Sequence, residues 1–218
     1  MRLTRNWNPQ ELMDTRNGSI PSGRRFWTRV FSLACCLGIG MTVGAQALEA
    51  ETLHVNADSS TITFALTDTV HAVNGTFRLK AGDVQFDPAH GTMSGTLTVA
   101  ADSGHSDSPA RDRRMIQDEL KAHLFPTITF APEHFTGAFQ PHGTSVLQVS
   151  GQFTLLGKSH PITVPMNVVV TGDAVTATGT FPVPYVAWGL KDPSLLFLRV
   201  GKIVTITCKL NGTLTDGK

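Results

Sequence analysis

Eight histidines, a lone cysteine near the C-terminus and an adjacent Arg-Asp pair are the residues of this chain best equipped for chemistry. His54, His71, His90, His105, His123, His134, His142 and His160 are scattered singly. None falls in an H-x-H, HExxH or Cys/His cluster with the spacing that a metal requires. His105 and Asp107 stand closest together, in a Ser/Gly-rich stretch with Asp102, and read as solvated loop residues. No serine sits in a G-x-S-x-G elbow. Cys208 alternates with Val204 and Ile206 on an apolar face, which predicts a buried and inert thiol. Arg111 and Asp112 read as an internal ion pair or as first-turn charges of a helix, where a carboxylate is electrostatically favoured. Their alternative role is a polar anchor for a ligand head group. This inventory predicts no catalytic residue, no metal and no cofactor, and so a protein that is not an enzyme.

The N-terminal segment reads differently from the rest. Arg24, Arg25 and Arg29 precede an uncharged, mostly apolar run, Val30 to Gly44, and Ala45-Gln46-Ala47 supplies a small–x–small cleavage pattern. These are the three parts of a secretory signal peptide. The apolar run is shorter than the ~20 residues that span a bilayer as a helix. Residues 1–47 are therefore expected to form a leader that is removed between Ala47 and Leu48, leaving residues 48–218 as one domain. Met13 or a later residue is an alternative start. Gly23-Arg24-Arg25-Phe26-Trp27 faintly resembles a twin-arginine signal, and the export route stays open between the two. Cys35 and Cys36 lack a lipobox.

After Ala47, 12 basic and 15 acidic residues remain, a net charge of −3 against +1 for the whole chain. A mildly acidic surface without basic runs argues against nucleic acid and against anionic head groups as partners. Only Cys208 is left after cleavage, so no intrachain disulfide forms and stability must come from a core.

The elements that must build that core are strands. Ile62, Phe64 and Leu66 alternate with Thr61, Thr63 and Ala65. The same period of two runs through Met93–Val99, Leu147–Leu155, Ile162–Val170, Val175–Val183 and Val204–Leu210. Asn74-Gly75, Asp87-Pro88, His90-Gly91, Gly157-Lys158 and Gly172-Asp173 punctuate these runs as turns. About eight antiparallel strands are expected, arranged as a sandwich or a closed barrel. One segment departs from the pattern. Ser108-Pro109 offers an N-cap and a first-turn proline, and Ile116, Leu120 and Leu124 recur every four residues, which predicts one short helix over residues 109–123.

Six ordered elements resemble the YceI-like family: Ser60-Thr61-Ile62-Thr63-Phe64, Val73-Asn74-Gly75-Thr76-Phe77, Val84-Gln85-Phe86-Asp87-Pro88, Arg111-Asp112 with Met115, Phe125-Pro126-Thr127-Ile128-Thr129-Phe130, and Gly151 to Leu155 followed by Gly157 to Ile162. The resemblance spans residues 52–214. The segment Gly189–Ser194 departs from the family's pattern. The resemblance implies a lipocalin-like, closed antiparallel barrel of about eight strands with an elongated apolar cavity. It also implies binding of polyisoprenoid chains or isoprenoid quinones, and a periplasmic or secreted location.

On that reading the lumen is lined by Phe64, Phe77, Phe130, Phe153 and Phe181, with Leu97, Ile128, Leu155, Val164, Met166, Val168 and Tyr185, and with Trp188 near the mouth. Arg111 and Asp112 are the candidate polar anchor. The expected partner is an apolar lipid, with no nucleic acid and no stable membrane insertion after cleavage; homodimerisation is left open. The competing reading is a stress or interaction module with a filled core that acts through its surface. A weaker third is an enzyme acting on isoprenoid or acyl substrates.

Overall fold

A computed structural model describes residues 50–67, 72–192 and 201–216. The expected leader and its Ala47–Leu48 junction lie outside these residues. Where Thr and Val alternate with larger apolar groups, the chain forms strands, as a pleated, one-sided surface favours. In chain order these are β1 (Glu51–Thr67), β2 (Ala72–Phe77), β3 (Leu79–Asp87), β4 (Thr92–Ala100), β5 (His105–Ser106), β6 (Thr127–Thr136), β7 (Gly143–Leu155), β8 (Lys158–Thr171), β9 (Ala174–Val183) and β10 (Val204–Asp216).

Eight of them form one antiparallel sheet in the order β10-β9-β8-β7-β6-β4-β3-β1, and β1 returns to pair with β10. These eight strands therefore close into a barrel, as the family resemblance implied. β1 is long enough to serve two neighbours on one side. Its first part pairs with β3 (Glu51↔Phe86) and its second with β2 (Ile62↔Phe77), while β10 accompanies it on the other side. A register shift between Asn56 and Thr61 makes the bend. There the Asn56 side chain accepts from the backbone N–H groups of Asp58 (3.0 Å) and Ser59 (3.1 Å). β2 carries the short β5 on its outer side. Tight turns complete the hairpins; between β7 and β8, Leu156 (φ 51°) and Gly157 (φ 71°) both take left-handed backbone, the geometry that matches strand twist in a two-residue loop.

The helix is shorter than expected. α1 (Pro109–Arg114) runs into a wider turn of π type over Met115–Glu119. Proline occupies its first turn, but the Ser108 side chain makes no capping bond. The helix stops at Leu120 because Lys121 adopts φ 47°, a conformation that a helix cannot continue through. Of the expected apolar stripe, Leu120 is buried and Ile116 half-buried, whereas Leu124, beyond the stop, is 61 % exposed.

The helical segment lies between β4 and β6, and the Tyr185–Leu190 turns follow β9. Both connections are at the same barrel end, where Leu120, Leu155, Val164, Phe181, Val183 and Tyr185 form one apolar cluster. A second cluster, Phe86, Phe135, Leu147 and Val149, lies at the other end, among the short turns. One end is thus roofed by helix and irregular chain, and the other is drawn together by hairpins.

Candidate functional site

Period-two alternation decides what faces inward. In β9, Val175, Ala177, Gly179, Phe181 and Val183 are buried while the residues between them are not. Repeated around eight strands, this pattern makes an interior of hydrocarbon. It is not completely filled. A cavity of about 150 Å³ lies along the lumen. On β7 its wall extends from Leu147 to Phe153, about 20 Å at ~3.4 Å per residue, so the space is long and narrow. Among its lining residues only Thr129 and Cys208 carry a hydroxyl or thiol; the remainder are aliphatic, aromatic, proline or methionine. Such a surface holds water poorly and offers little but dispersion and apolar burial to an occupant.

The structure brings eight of the expected lumen residues to this wall: Leu97, Ile128, Phe130, Phe153, Val164, Met166, Val168 and Phe181. The other five lie beyond it. Phe64 and Phe77 pack on each other, ring centroids 5.5 Å apart. Leu155 and Tyr185 belong to the cluster at the helix end. The Tyr185 hydroxyl donates to the Gly201 carbonyl at 2.8 Å, and burial, aided by the carboxylates of Asp192 and Glu119, pushes the phenol up to about 12. Trp188 is half-buried against the same cluster. It lies 5.7 Å from Phe153 and stacks on His160 at 4.1 Å, with planes 5° apart.

Several wall residues were not singled out by sequence. Met93, Leu147 and Val149 lay in alternating runs whose inward face was evident, yet no residue pattern separated a cavity wall from a filled core. Phe86 and Phe139 close the hairpin end edge to face, 5.1 Å apart. Phe139 stands in the β6–β7 loop, outside any periodic signal, and only the folded chain brings it to the lumen.

Arg111 and Asp112 are not paired with each other, and neither lines the cavity. Arg111 reaches Asp107 at 2.9 Å on the surface. Asp112 is buried beneath β5, where it accepts from the backbone N–H (2.9 Å) and hydroxyl of Ser106 and meets His105 Nδ1 at 3.2 Å. The Ser106 hydroxyl bond, opposed by burial, holds the Asp112 carboxyl below its ordinary value, and the Ser106 N–H and His105 add to the effect. His105 is exposed, as a solvated residue would be, yet engaged with Asp112. Cys208 faces the cavity half-buried; its thiol donates to the Gly179 carbonyl at 3.5 Å, and burial pushes its pKa up. Among the described residues no three of His, Cys, Asp or Glu come together, and no helix is long and apolar enough to cross a membrane.

The fold is an eight-stranded antiparallel barrel, a class whose interior is either filled by side chains or holds one small ligand. Residues 53–212 match the model of the YceI-like domain, and the chain belongs to that family. Among solved structures it is similar to BcnA of Burkholderia cenocepacia, with 24 % identity and a TM-score of 0.61 over 73 % of this chain and 99 % of that one. It is also similar to a polyisoprenoid-binding domain of Saccharophagus degradans implicated in plant cell wall breakdown, with 15 % identity and a TM-score of 0.59 over 75 % and 98 %. No curated protein matches the chain.

Proposed function

We propose that the chain binds one elongated apolar lipid of the polyisoprenoid or prenyl-quinone type in its lumen, and shields it during passage through an exported, aqueous compartment. The observation that carries this reading is the wall itself: a long cavity with only Thr129 and Cys208 to interrupt hydrocarbon. An isoprenoid chain presents branched CH₂ and CH₃ groups and no charge along its length. Each buried CH₂ contributes ~0.8 kcal/mol, so a long chain retains a large driving force after the cost of ordering it. The narrowness of the space favours a single linear chain over a fused-ring ligand. The thioethers of Met93 and Met166, both on the wall, allow it to adapt as chain length varies. The family and the polyisoprenoid-binding neighbour support the same ligand class.

No catalysis is needed in this role. Burial raises the Cys208 thiol pKa, which suppresses the thiolate a nucleophile requires. The leader read in residues 1–47 supplies the route out of the cytoplasm.

The test is binding by delipidated protein. A prenyl quinone or long prenol is expected to produce a saturable shift in tryptophan emission, because Trp188 packs against the cavity residue Phe153. Phe153→Asp is expected to prevent binding in a protein that still folds. If the delipidated protein gives no saturable response and retains no lipid in a direct assay, the interior acts as a filled core and the surface-acting reading replaces this one.

A further inference from the structure

His160 occupies an inward position of β8, in phase with Ile162, Val164 and Met166. Its cross-strand partner on β7 is the cavity residue Phe153. Trp188 covers the imidazole face to face and also touches Phe153. Nε2 of this ring is buried and has no hydrogen-bonding partner in the protein. Buried polar atoms are almost always paired, and an orphan calls for a specific account. Here the orphan belongs to a residue that does not itself line the cavity but pairs with the wall residue Phe153, at one end of a lumen whose only polar side chains are Thr129 and Cys208.

Resting on the lipid-binding reading, we propose that His160 Nε2 is the polar contact for a neutral oxygen head group, hydroxyl or carbonyl, on the lipid whose tail fills the lumen. A neutral imidazole donates from Nε2 in one tautomer and accepts there in the other, so one atom serves a quinone carbonyl or a prenol hydroxyl. The Trp188 stack holds the ring at a fixed angle and keeps water from competing. A charged head group is disfavoured among Trp188, Phe153 and Ile162, because its desolvation would be uncompensated. The ligand would then be oriented, with its head at the helix end beside His160 and its tail directed past Phe153 toward Phe86 and Phe139.

The test compares binding of a prenyl quinone, a long prenol and squalane, a hydrocarbon with no head group. The proteins are the wild type, His160→Phe and His160→Gln. Phe keeps a flat ring against Trp188 but has no nitrogen, and Gln places an amide near the position of Nε2. His160→Phe is expected to weaken quinone and prenol binding about tenfold and to leave squalane unchanged, while His160→Gln retains most of the affinity for the two oxygenated lipids. Unchanged quinone and prenol binding in His160→Phe overturns the proposal, and so does an equal loss for squalane. In both cases wild-type binding preserves the lipid-carrier reading. Failure of the wild type to bind any of the three overturns both. Independently of any variant, the ¹⁵N resonance of His160 Nε2 in the wild type is expected to move with quinone and not with squalane. No movement with quinone also overturns the proposal.

Discussion

Ser106 and Asp112 are bound to each other twice: the carboxylate accepts both the backbone N–H, at 2.9 Å, and the side-chain hydroxyl of the serine. The pair ties β5 to the start of α1 and so fixes the helical segment at one barrel end. Because the carboxyl is held below its ordinary value, it contributes stability above its unfolded pKa of about 3.9 and loses it as the pH falls through the lower folded value. Asp112→Asn is expected to unfold at lower urea than the wild type at neutral pH. The two midpoints should converge as the medium is acidified. Urea titrations across that range check this; a gap that stays constant with pH would contradict it.

Phe64 lies across from Gly75 in the β1–β2 pairing. A Cβ on Gly75 would meet the Phe64 ring and the His105 carbonyl. Gly75→Ala is therefore expected to cost about 1–3 kcal/mol by overpacking, measured by chemical denaturation. A variant as stable as the wild type would show that the β2–β5 flap yields easily.

The small–x–small pattern at Ala45–Ala47 sets the expected mature N-terminus at Leu48. In a chain beginning there, Trp188 is the only tryptophan, which makes the emission experiment specific to one indole. N-terminal sequencing of the abundant cellular form checks this, and finding Met1 or Met13 would refute it.

Cys208 is the one thiol after Ala47. It faces the lumen but is held to Gly179 with its pKa raised. Cys208→Ala is expected to lower stability by on the order of 1 kcal/mol, comparable to losing one buried methyl group, and to leave lipid affinity near that of the wild type. Complete loss of binding with normal folding would reveal a thiol role.

Much of the fold was legible because its cause is local. Alternation within β1, β4, β7, β8, β9 and β10 needs only the neighbouring residues, and turn residues such as Gly157 and Gly172 stand between the runs. The helix end was not legible, because the left-handed Lys121 breaks a period-four pattern that continues in the sequence to Leu124. The site was legible only in part. Inward faces follow from periodicity, but whether Phe153 borders a cavity and Phe64 packs against another ring depends on strand order and register. The His160–Trp188 stack was hidden for the same reason. It joins residues 28 positions apart, one on β8 and one in the turns after β9, and nothing in either local segment points to the other.

The central claim is that the lumen holds a lipid, and mass spectrometry of an organic extract tests it most directly. Protein purified from its native host in mild buffer is expected to release a polyisoprenoid or prenyl quinone in near-stoichiometric amount, and the Phe153→Asp protein, folded, is expected to release none. An extract without lipid, together with delipidated protein that takes up neither quinone nor prenol, would contradict the claim.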